Sequence, residues 1–229
     1  MTGKTHRVGG MLCVLGGFTI LDSKGMLLGN VSPMIQLVMM YPFALYGSVV
    51  SDLDHHVKSI PCRDIFSLAI NRLLHLSSWV RHVVGDEGYL SKLLSVFDAK
   101  HRSWQTHSDL FLLAMIMLSM RLANSSLRSA DAVIIRLMFM GLSLGIISHL
   151  ILDMLTPEGI WCIVTTVISK VTGNKLIPHK ISLVPDTKFF RTGGAWEVLI
   201  RNVMWLICLL LFLKILFSMS PYTITFLKG

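Results

Sequence analysis

Between residues 25 and 51 the chain carries no charged residue at all. A helix needs about 20 largely apolar residues to cross the hydrocarbon core of a bilayer, and this stretch exceeds that. Lipid supplies no hydrogen-bond partners, so the segment must satisfy its own peptide groups, as a helix does. Four further apolar runs follow the same logic, over residues 8–21, 110–127, 132–152 and 202–217. The first holds Gly9, Gly10, Gly16 and Gly17, which suit close helix packing in a bilayer. The fourth carries Arg136 as its one charge, and the last has Lys214 toward its far end. Only 15% of the residues are charged, against about 25% in soluble domains. The expectation is an all-α polytopic membrane protein with about five transmembrane helices, in a single domain over residues 1–229.

The net charge of +8 raises the question of nucleic acid. The basic residues lie between the apolar runs, where they act as topology determinants, so no nucleic-acid partner is expected. With the N-terminus inside, five spans place residues 1–7, 52–109 and 153–201 on the cytoplasmic side. Those stretches contain 15 of the 21 Lys and Arg residues. Lys4 and Arg7 before an apolar run suggest a signal peptide, but no A-x-A-like site follows, and an uncleaved first helix is expected. Cys13, Cys62, Cys162 and Cys208 are dispersed and suggest no disulfide framework.

Residues 57–100 mix apolar positions at helical spacing with Arg63, Arg72, Arg81 and Lys92. They read as amphipathic helices on the cytoplasmic face, broken near Gly85 and Gly88. Residues 160–169 are too short to span and read as interfacial or re-entrant, leading into a polar loop to residue 201.

Polar clusters recur where the chain leaves its apolar runs. His149 and Asp153 end the fourth; four apart on a helix, they share a face and can hold one ion. His6 precedes the first run, Asp52 and Asp54 follow the second, His101 and His107 precede the third, and Glu197 precedes the fifth. All eight fall on the side chosen by the basic residues. A single catalytic zinc takes three protein ligands, so eight candidates suit two divalent ions, zinc or manganese and magnesium, with carboxylates shared between them. Asp52 and Asp54 would face apart on a continuous helix, so the helix is expected to unwind there. Each cluster also has a plainer reading as a solvated helix end or a buried His–Asp pair.

Taken in order, Thr5-His6, the D-x-D-H element Asp52–Asp54–His55, the H-R…T-H-S element at His101, Arg102, Thr106, His107 and Ser108, His149…Asp153…Thr156…Gly159, and Thr192-Gly193-Gly194…Glu197 resemble the YdjM-like inner-membrane metal-dependent hydrolases. Ser51 stands where that family's aspartate element usually follows a proline, and the H-R…T-H element is one residue longer here. The resemblance implies hydrolase activity and a bacterial inner membrane, with no substrate specified.

The reading that follows is a membrane-bound metal-dependent hydrolase at the cytoplasmic lipid interface, acting on a phosphoester of a lipid or lipid-linked substrate. His6, Asp52, Asp54, His101, His107, His149 and Asp153 would hold metal. Arg102 and Arg191 would hold phosphate oxygens, the Gly193-Gly194 amides would help cradle the anion, and Glu197 would serve as ligand or general base. A divalent-metal transporter or channel is the main competitor, but it needs ionisable residues at mid-span, whereas these cluster at span ends. A metal-stabilised scaffold without catalysis is the third reading.

Overall fold

The computed structural model describes residues 1–28, 31–54, 64–76, 79–80, 83, 106–125, 129–172, 179–186, 189 and 192–226. In chain order these form α1 (Gly3–Ser23), α2 (Pro33–Val50), a 3-10 turn (Ser51–Asp54), α3 (Ile65–Leu74), α4 (Asp109–Ala123), α5 (Ala130–Met154), β1 (Ile160–Trp161), α6 (Ile163–Thr172), β2 (Lys180–Ile181) and α7 (Ala195–Phe226). The protein is a mostly helical membrane protein.

The helix starts carry recognisable chemistry. Pro33 opens α2, where its missing N–H costs nothing. Ser108 and Ser129 cap α4 and α5 by accepting from the Phe111 and Ala132 amides. The far end of α4 is closed from another helix. Arg136 of α5, the one charge in its run, is buried and donates to the carbonyls of Ala123 and Ser125. A guanidinium there satisfies orphan carbonyls and meets the negative end of the helix dipole, which explains a cation among apolar neighbours.

α2 and α5 form the centre of the bundle; α1 packs on both, α4 on α5, and α7 on α1. Val14, Phe18, Met40, Leu137 and Met140 fill the space between the central three. The α2–α5 contact is backbone against backbone. A methyl group built on Gly47 would stand 2.2 Å from the Leu142 carbonyl oxygen, and one on Gly145 2.2 Å from that of Ala44. Gly141 meets the Met40 carbonyl in the same way. Of the first run's glycines, Gly10 approaches the Ala44 carbonyl, Gly9 faces Leu152 and Gly17 faces Leu144, while Gly16 has open space.

Among the described residues, three helical segments are long and apolar enough to cross a membrane: Pro33–Leu53, Asp131–Met154 and Ala195–Ser218. α4, with 15 residues, reaches only about 22 Å against a hydrocarbon core of about 30 Å. The third apolar run therefore ends as a helix at Ala123, short of the expected residue 127. Lys4 and Arg7 lie within α1.

The expected unwinding after the second run is present. α2 stops at Val50 and the chain tightens into the 3-10 turn, burying Leu53 and turning Asp52 inward. At the end of α5, Thr156 donates its hydroxyl to the Asp153 carbonyl, and Gly159 takes φ +58. Any side chain at Gly159 would strike the Ile181 carbonyl, because β1 and β2 pair antiparallel immediately beyond. The β2 region covers the open end of α5: the Leu183 amide donates to Met154 and the Ser182 hydroxyl to Thr156. Residues 160–169 thus begin as a strand and continue as the ten-residue α6, which exposes Val164, Val167, Ile168 and Val171 at helical spacing. Of the amphipathic insertion, α3 and a few residues after it are described; residues 57–63, 77–78, 81–82 and 84–100, with the expected break near Gly85 and Gly88, lie outside the described residues.

Candidate metal centre

Five of the seven metal candidates meet at one end of the bundle. His6 comes from the first turn of α1, Asp52 from the 3-10 turn after α2, and His107 from the residue before the α4 cap. His149 and Asp153 come from the last turns of α5. The starts of α1 and α4 and the ends of α2 and α5 therefore share one face, so these helices alternate in direction. His101, Arg102 and Arg191 lie outside the described residues, as does the side chain of Asp54.

His149 is fully buried, and its Nδ1 is 2.7 Å from the Ser48 carbonyl oxygen. A carbonyl only accepts, so Nδ1 carries the proton and Nε2 turns a lone pair into the cluster. His107 is equally buried, with Nδ1 2.9 Å from the Thr106 hydroxyl and its backbone carbonyl accepting from the Trp161 amide. The two Nε2 atoms converge to 3.2 Å. Asp153 Oδ2 is 3.5 Å from each of them. Asp52 Oδ1 is 3.8 Å from His107 Nε2 and 3.6 Å from His149 Nε2.

Those separations bear on what the donors can hold. Most are too long for hydrogen bonds. Ligands at about 2.0–2.1 Å from a tetrahedral ion stand about 3.3–3.4 Å apart. Asp52, His107 and His149 thus offer two nitrogens and an oxygen 3.2–3.8 Å apart, close to the spacing such an ion demands, with Asp153 Oδ2 3.5 Å from both nitrogens; a set of His and carboxylate donors suits a borderline or hard divalent cation.

The other oxygen of Asp153, Oδ1, faces His6 Nε2 at 3.5 Å, and the His6 ring stacks on that of His149 with centroids 3.9 Å apart. His6, His149 and Asp153 form a second group able to hold an ion. His149 belongs to both groups but presents one inward nitrogen, so Asp153, with an oxygen toward each, is the natural link. Among the described residues His6 Nδ1 is buried without a hydrogen-bond partner. Exposure differs sharply across the cluster: the side chain of Asp52 is 19% exposed, those of His107, His149 and Asp153 at most 1%. The cluster opens at Asp52.

Glu197, in the first turn of α7, lies beside this cluster with both oxygens engaged. One accepts from the Thr2 amide and from the Thr2 and Thr5 hydroxyls; the other accepts from the Gly193 amide. The carboxylate ties the start of α1, one residue before His6, to the turn that begins α7. The Gly193 amide, expected to help cradle an anion, is directed to Glu197 instead, with Gly193 at φ +81 so that its N–H can turn inward. Ser48, Thr2 and the hydroxyl of Thr106 complete the surroundings. The first acts through a main-chain carbonyl, which no residue type announces.

No curated protein and no solved structure matches the chain. A family model does, over residues 1–222, and with the candidate ligands from His6 to Asp153 and Glu197 all inside that match, the chain belongs to the YdjM inner membrane protein family.

Proposed function

We propose that this protein is a membrane-bound metal-dependent hydrolase that works at headgroup depth on the cytoplasmic side of the inner membrane, cleaving a phosphoester of a lipid or lipid-linked substrate. The observation that carries the reading is the convergence of Asp52, His107, His149 and Asp153 at one end of an apolar bundle, with Asp52 the most exposed of the four. A transporter would need such groups partway through its spans. In this reading α1 and α4 cross with α2, α5 and α7, giving five alternating spans, and α3 and α6 lie in the interface with their exposed apolar rows against lipid.

The Asp52–His107–His149 group would hold one ion, and His6 with Asp153 would hold part of the shell of another. When bound, such ions supply Lewis acidity, polarising the scissile bond and bringing water's pKa toward neutrality. The protein's own contribution is orientation. The Ser48 carbonyl fixes the His149 tautomer, the Thr106 hydroxyl would accept a hydrogen bond from the His107 Nδ1–H, and Glu197 holds the Thr5-His6 turn in place. Asp52 marks the side from which substrate reaches the cluster, and Arg102 and Arg191 would neutralise phosphate oxygens there.

Purified protein incubated with phospholipids and isoprenoid phosphates should release phosphate or a phosphorylated headgroup, and a chelator should abolish the release. Cleavage of acyl esters or peptides while every phosphoester survives would overturn the substrate class. Metal uptake into vesicles without any hydrolysis would favour the transporter.

A further inference from the structure

α2 and α7 both pack on α1, and a cavity of about 680 Å³ lies in the angle between them. Its walls come from Leu15 of α1, Val38 and Tyr41 of α2, and Trp205, Leu206 and Leu209 of α7, among other apolar neighbours, with no charged residue. The volume falls within the range of about 300–1,000 Å³ usual for small-molecule sites. Val38, Leu206 and Leu209 are each more than half exposed, so the cavity is a cleft open to the side.

Position identifies the occupant. α2 and α7 are two of the helices able to cross a membrane, so the cleft lies at hydrocarbon depth. Water entering it would find almost no polar partner. The cleft is also in line with the metal cluster. Met11, at its near end, is five residues beyond His6 on the same helix, about 7–8 Å along the axis. Phe212, at its far end, is fifteen residues beyond Glu197, or about 22 Å. A molecule with its polar head at the cluster and a long tail directed into the bilayer has its tail along this cleft.

We propose that the cleft between α1, α2 and α7 binds one long hydrocarbon chain of the lipid whose head is processed at the His/Asp cluster. The role of the head rests on the hydrolase reading; the chain site rests on the cleft alone. The cleft therefore selects substrates by tail as the cluster selects them by head, and a water-soluble phosphoester lacking a tail forfeits this part of the binding.

The test uses the full chain in lipid nanodiscs doped with a phospholipid bearing a photoactivatable diazirine in its acyl chain, with crosslinks mapped by mass spectrometry. Labels should concentrate on residues 34–41 and 205–212 rather than on Ile134 and Ile135, exposed apolar residues of α5 away from the cleft. Val38→Trp combined with Leu209→Trp fills the cleft from two exposed positions without entering the core. Labelling there should fall about tenfold, which corresponds to about 1.4 kcal/mol of lost chain affinity. Zinc content should be unchanged, and KM should rise for a long-chain substrate but not for a soluble phosphoester. Labels spread evenly over all lipid-facing residues, or unaffected by filling, overturn the chain site even if hydrolysis persists. Cleft labelling that responds to filling, in a protein that hydrolyses no lipid, upholds the chain site and removes the hydrolase reading.

Discussion

Thr106→Val tests how the candidate metal centre is held without touching a proposed ligand. Thr106 is almost fully buried, and its hydroxyl is 2.9 Å from Nδ1 of His107, whose Nε2 points into the cluster. When Nε2 serves as a ligand, Nδ1 carries the ring proton and needs an acceptor. Valine matches threonine in shape but offers none, so the ligated state keeps a buried donor without its partner. That costs about 1–3 kcal/mol. At about 1.4 kcal/mol per decade, the penalty is about 5- to 150-fold in metal affinity, which brackets the 10- to 100-fold effect usual for such partners. Titration of detergent-purified protein against a chromogenic zinc chelator reads the loss directly. Thr106→Ser keeps the hydroxyl and should bind close to wild type. Unchanged affinity in Thr106→Val, or equal loss in the serine variant, would refute the assignment of the hydroxyl as the His107 partner.

His149→Ala and Asp153→Ala should each lower bound metal and abolish activity while the protein still inserts, as read by elemental analysis of the membrane-extracted protein; unchanged metal content would reduce the pair to a structural contact. Glu197→Gln removes the charge from four accepted hydrogen bonds and should destabilise the protein by about 1–3 kcal/mol, seen as a lower melting temperature, with metal still bound at the Asp52–His107–His149 group. Reporter fusions at Asp22 and Ser126 should both behave as periplasmic, and a cytoplasmic signal at Ser126 would show that α4 does not cross.

What the sequence made legible was polarity out of place. His6, Asp52, His107, His149 and Asp153 stand at the edges of runs that hold at most one charge each, and a hydrophobic run with a candidate ligand at its edge needs no structure to be noticed. The i, i+4 spacing of His149 and Asp153 and the unwinding at Asp52 follow from helix geometry alone. What stayed hidden depends on which main-chain atom meets which side chain. The Ser48 carbonyl has no sequence signature. The β1–β2 pairing involves strands of two residues, too short for any periodicity. Glu197 looks in sequence like any carboxylate beside a ligand cluster, and only the fold shows its oxygens taken up by Thr2, Thr5 and Gly193. Gly141 and Gly145, four apart, do signal a close helix approach, but not that α2 is the partner.

The glycine seam between α2 and α5 has a consequence of scale. Asp52 follows the end of α2, and His149 and Asp153 ride on α5, so the width of the cluster is set by how closely those two helices lie. With Gly47 and Gly145 each facing the other helix's main chain, that separation is set by peptide groups and has no side chain to repack. Calcium takes its oxygens at about 2.3–2.6 Å, so it would require these donors to spread by several tenths of an ångström each and to grow in number. The seam resists the spreading, which would bias a bound ion toward small cations such as zinc, magnesium or manganese. It also makes Gly145→Ala a substitution in ion size: a methyl wedge one turn from His149, pressed against Ala44 and Ser48, that would widen the cage and shift preference toward larger cations.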